Sequence, residues 1–93
     1  MSIPKASILR QYRKIHRKAR KKGPGGRIGR RIRNRIEELA QEGIAKGITG
    51  EPELEGYIQA EMSKERDWEG FKAFIEWFIK EIVPILISMF VMI

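Results

Sequence analysis

Residues 82–93 read IVPILISMFVMI, twelve consecutive residues without a charged side chain, at the end of the 93-residue sequence. What precedes this run decides where it goes. From Met1 to Ile36 there are 14 Lys and Arg and no acid, and all 12 Asp and Glu residues come after Ile36. The net charge of +7 thus hides a half of +14 joined to a half of −7. A bare apolar segment favours association, and a strongly basic half points to an anionic partner. The first expectation is therefore a membrane for the apolar end and something anionic beside it for the basic end.

Working back from Ile82, a helical projection gathers Glu65, Glu69, Lys72, Glu76 and Lys80 into one wedge. Trp68, Phe71, Phe74, Ile75, Phe78, Ile79 and Ile82 cover most of the remaining circumference, and Trp77 flanks the far side. Residues 82–93 alone rise only ~18 Å, but the helix extended back to Phe74 reaches ~30 Å, the thickness of a bilayer core. Glu76, Lys80 and Glu81 would then lie near the headgroups, where Lys80 can snorkel. Trp68 and Trp77 would act as interface aromatics. The expected membrane-contacting residues are Trp68, Phe71, Phe74, Trp77, Phe78, Ile82, Ile85, Leu86 and Phe90. Two alternatives stand beside a span: 67–81 lies along the interface while 82–93 dips in, or the helix is buried against a partner protein.

The rest of the sequence also reads as helix. Ile8, Tyr12, Ile15 and Ala19 share one face of a basic helix over 1–22, with Pro4 in its first turn behind Ser2 or Ile3. Gly23-Pro24-Gly25-Gly26 breaks it. Ile28, Ile32, Ile36, Leu39, Ala40 and Gly43 form the apolar stripe of a second helix, and Arg33–Glu37 is an expected i,i+4 pair. Gly43, Gly47 and Gly50 mark a loop region; their Gly-xxx-Gly spacing also matches a helix-pairing pattern. A third helix starts at Pro52, capped by Thr49 or Gly50. It either stops near SKERD (63–67), with Asp67 capping a fourth, or runs on to the end. Three segments result: a basic arm over 1–36 hinged at 23–26, an acidic connector over 37–66, and the apolar helix over 67–93.

Candidate anion-binding residues are Arg10, Arg13, Lys14, Arg17, Lys18, Lys21, Lys22, Arg27, Arg30, Arg31, Arg33 and Arg35. Their partner is nucleic acid, lipid headgroups or an acidic coat-protein surface. Tyr12 is the sole aromatic before residue 37, which argues against base stacking by the basic half. Catalysis finds no pattern. His16 is the only histidine and reads as one more polar residue on a basic face, and there is no cysteine. The acids show no calcium-loop spacing, and Gly23–Gly26 lacks the Lys-Ser/Thr of a phosphate-binding loop. No cofactor and no metal are expected.

In overall layout, with its basic arm, Gly-Pro-Gly-Gly break and apolar C-terminal helix, the chain resembles the small membrane-associated structural proteins of tailless, lipid-containing icosahedral bacteriophages of the corticovirus type. That resemblance implies a non-enzymatic virion component in the internal membrane. It would be present in many copies, tying the bilayer to the major coat protein or the genome. The sequence reading is thus an extended all-α protein of three or four helices with a C-terminal membrane anchor. It would sit in a virion membrane or at the cytoplasmic face of a bacterial inner membrane. The alternatives are a soluble nucleic-acid-binding module with a C-terminal oligomerisation helix and a holin-like lysis protein.

Overall fold

Three breaker segments, 23–26, 47–52 and 63–67, end helices, whereas Pro84 lies inside one. In the computed structural model, which describes residues 5–91, α1 spans Lys5–Lys22, α2 Gly26–Ala45, α3 Glu51–Met62 and α4 Trp68–Phe90. The expected start of α1 at Ser2, Ile3 and Pro4 lies outside the described residues. Helix α2 ends where Gly47 takes φ +91°, a left-handed turn that only glycine enters without strain. Helix α3 opens with Pro52 in its first turn behind Gly50. The polar stretch Ser63–Asp67 separates α3 from α4, so one continuous helix from 53 onward does not form. Asp67 does stand at the N-cap of α4, but its carboxylate makes no cap hydrogen bond there.

The four helices share one core. Ala19 enters from α1, Ile32, Ile36 and Leu39 from α2, Leu54, Ile58 and Met62 from α3, and Phe78, Ile82 and Leu86 from α4. Helix α4 is the common element, packed against each of the other three. His16 meets the edge of Phe78 and Lys22 lies over Trp77, so α1 runs antiparallel to α4. Helices α2 and α3 form an antiparallel hairpin. At its closed end a Cβ on Gly43 would stand 2.6 Å from Leu54 Cδ1. The Gly-xxx-Gly spacing therefore begins with a close approach inside the chain, between α2 and α3.

This arrangement corrects the expected placement of the C-terminal helix. Among the described residues no helix is long and apolar enough to cross a membrane. Helix α4 has 23 residues, but Glu69, Lys72, Glu76, Lys80 and Glu81 are distributed along it. Its wide apolar circumference has a different cause: it faces helices on several sides. Ile82, Ile85 and Leu86, expected against lipid, retain 0, 7 and 1% exposure, and each such burial is worth about 1.5–3 kcal/mol. Phe74 and Phe78 are buried too, Trp68, Phe71 and Trp77 are half-buried against the core, and only Phe90 of that set is exposed. An interface-lying stretch over 67–81 would need the same side chains free. The placement in a virion membrane, or at the face of a bacterial one, therefore loses its basis.

The chain is also not extended. Its radius of gyration is 12.9 Å, near the ~12 Å of a compact domain this long. The opposite charges of its two halves help, because they meet across helix pairs.

A candidate anion-binding face

Helix α1 presents its apolar side to α4 and leaves Arg10, Arg13, Lys14, Arg17, Lys18, Arg20 and Lys21 exposed. None of these pairs with a carboxylate among the described residues. The separation follows from the sequence: α1 contains no acid to answer them.

Helix α2 divides its arginines. Arg31 grips Asp67 with two nitrogens, Nε at 3.1 Å from Oδ2 and Nη2 at 2.8 Å from the same oxygen. Arg35 donates Nε to Glu65 at 2.9 Å and Nη1 to Glu38 at 3.0 Å. The Glu65 hydrogen bond holds its pKa above the usual guanidinium value. Two of the twelve residues expected to bind an external anion are thus engaged inside the molecule. They tie α2 to the α3–α4 turn.

Arg33 lies on the other side of α2 and is half-buried. Its pKa is lowered, first by desolvation and then by the charges of Arg20 and Arg30; Glu37 opposes that shift only as the smallest contribution. The ion pair expected between Arg33 and Glu37 is not among those formed by the described residues. Glu37 is occupied instead: the Tyr12 hydroxyl donates to it at 2.8 Å, and His16 Nε2 stands 2.5 Å from Oε1. Burial, with help from Glu37, pushes the Tyr12 pKa up to about 12. His16 is therefore a tie between α1, α2 and α4 as well as a polar residue.

Exposed Arg20 and Arg30 thus lie near enough to Arg33 for their charges to act on it, where α1 meets α2. Pro24 sets the approach: its carbonyl packs where a Gly29 side chain would be. Arg27 is exposed on the first turn of α2, and Lys22 directs its ammonium over the Trp77 ring at 5.2 Å. Three guanidiniums that share no carboxylate offer a fork of donors suited to phosphate oxygens. The sequence reading missed Arg20, although it follows His16 by one helical turn and so faces α2. It also missed Glu37 as an acceptor for α1. Among the described residues no three His, Asp or Glu side chains gather as metal ligands.

No family model, curated protein or solved structure matches this chain. The functional reading therefore rests on the residues themselves.

Proposed function

We propose that this chain binds nucleic acid through its phosphates, without reading base sequence, on the face built by α1 and the N-terminal half of α2. One observation carries the reading. Arg10, Arg13, Lys14, Arg17, Lys18, Arg20 and Lys21 stand exposed along α1 without a carboxylate partner among the described residues, whereas Arg31 and Arg35 on α2 are each paired. Charge on this face also acts on half-buried Arg33, whose pKa Arg20 and Arg30 help to lower, and a phosphate bound here relieves such repulsion. The exposed cations of α1 continue the same field for the length of the helix. Lys and Arg on such a surface displace condensed counterions from a polyphosphate, which gives affinity that is independent of sequence and steep in salt.

The membrane part of the sequence reading has no place in this proposal, because α4 spends its apolar face inside the fold. The test is binding of fluorescent oligonucleotides of several unrelated sequences across a salt series. Equal affinities, with log K falling linearly in log salt at a slope of about −0.7 to −0.9 per phosphate neutralised, support the reading. Absence of binding at low salt, or an affinity that salt does not change, overturns it.

A further inference from the structure

The α1–α2 turn and the start of α4 form a shallow, open groove of about 460 Å³ lined by Lys22, Gly23, Pro24, Gly70, Phe71, Ala73 and Phe74. Three features make it. Phe71 departs from helical geometry (φ −132°, ψ 26°), so the first turn of α4 swings away from the rest of the helix. Gly70 and Ala73 leave room between the aromatic rings, and a Cβ on Gly70 would meet nothing within 4 Å. Gly23, having no side chain, lets the Phe74 ring lie against the backbone of the turn.

Phe71 and Phe74 are the two rings in the groove lining, and Trp77 lies next to Phe74 outside it. Phe74 and Trp77 lie at 6.1 Å with 29° between planes, and Lys22 holds its ammonium over the Trp77 ring. Half-buried Phe71 brings one more ring to the wall. In the linear sequence the basic half carries only Tyr12 as an aromatic. The packing of α1 on α4 sets the C-terminal aromatics beside Lys22.

We propose that this groove takes an unpaired nucleobase, so that the nucleic acid bound by this face is single-stranded. The inference rests on the phosphate-binding reading above and names the class of its ligand. An apolar groove with aromatic walls and a cationic rim fits a ligand with a flat apolar face on an anionic backbone. A base supplies that face only when it is out of a duplex, because in a duplex both faces of each internal base are covered. Stacking on aromatic side chains accepts any base, which agrees with a face that reads no sequence. Phosphates flanking the base would meet Lys22 at the groove and the exposed cations of α1 beyond it.

The experiment compares three ligands of equal length at one salt concentration: a thymidine homopolymer, the same strand with abasic sites in place of its bases, and a duplex. A uridine homopolymer, run alongside, tells RNA from DNA. The thymidine strand is expected to bind on the order of tenfold more tightly than the abasic strand. Phe71→Ala, with its helix content checked by circular dichroism, should bring the two to equal affinity while leaving abasic and duplex binding unchanged. Gly70→Leu fills the groove without removing a core side chain and should do the same. The groove is excluded as a base site if the abasic strand binds as well as the thymidine strand, or if both variants weaken all ligands alike. In that case strong binding of every ligand leaves the phosphate reading standing. Failure of every ligand to bind sinks both.

Discussion

Arg31 and Arg35 leave α2 towards the α3–α4 turn, where Asp67 and Glu65 receive them. Arg30 and Arg33 leave the same helix towards α1, where they meet Arg20 and where Glu37 is already held by Tyr12 and His16. One helix thus carries arginines of two kinds, on different sides of its axis. The paired ones close the fold. The clustered ones load it with repulsion that a polyanion would remove. Arginine content alone says nothing about which kind a residue is; the position of the carboxylates decides.

The largest effect should come from damaging the helix on which both faces stand. Leu86 is 1% exposed, so Leu86→Lys places an unpaired charge in the core at a cost of several kcal/mol. A domain with about 5–15 kcal/mol in total tolerates that poorly. We expect loss of the cooperative thermal transition and of oligonucleotide binding together. A variant that melts cooperatively near the parent temperature would show that the C-terminal half of α4 is not packed as described.

Next in size is the clustered set. Arg20, Arg30 and Arg33 replaced together by Gln should weaken binding at ~0.1 M salt by on the order of tenfold for each phosphate they neutralise, and flatten the salt slope by about 0.9 for each. The melting temperature should hold or rise, because like-charge repulsion is relieved. The paired set should behave in the opposite way. Arg31→Gln with Arg35→Gln removes two partly exposed ion pairs, each worth about 0.2–1 kcal/mol. At about 4–8 °C per kcal/mol for a domain of this size, the melt should fall by several degrees. The salt slope of binding should not change. If the two sets produce the same pattern, the division within α2 is not functional.

How far the sequence could have gone differs between these parts. The helix ends at Gly23–Gly26 and Gly47–Pro52 were readable because glycine and proline interrupt the 3.6-residue pattern, whereas the polar Ser63–Asp67, without either, left a break and a continuous helix both open. The apolar circumference around Phe74–Leu86 was readable too, but not its cause. A helix surrounded by three others and a helix surrounded by lipid write the same hydrophobic profile, and the charges at Glu76, Lys80 and Glu81 were the available sign that favoured protein. The ion pair between Arg31 and Asp67 spans 36 residues of chain, and no local spacing rule reaches that far. Glu37 was legible only as an i,i+4 partner of Arg33. Its capture by Tyr12 and His16 depends on how α1 folds back past Pro24. The groove depends on the same fold, since it brings residues 22–24 to residues 70–74.

The smallest expected effect concerns that capture, and it acts only at high pH. The Tyr12 phenol has an ordinary pKa of 10.0, raised in the fold to about 12 by burial, by its hydrogen bond to Glu37 and by the charge of Glu37. A raised pKa means that the folded state holds the phenolic proton more tightly than the unfolded chain does. The resulting stabilisation is complete below pH ~10 and is lost as pH climbs from there towards ~12. Tyr12 is partly solvated, so the loss should be modest. Tyr12→Phe removes both the hydrogen bond and the titrating group, so its stability should fall less steeply than the parent's over that window. The comparison is made by urea unfolding at several pH values from about 9 upward. The deleted hydroxyl makes the variant slightly less stable at the lowest of these, and the two stabilities should converge as pH rises. Parallel curves would mean that Tyr12 does not bind its proton through Glu37. Glu37 would then be held on α1 by His16 alone.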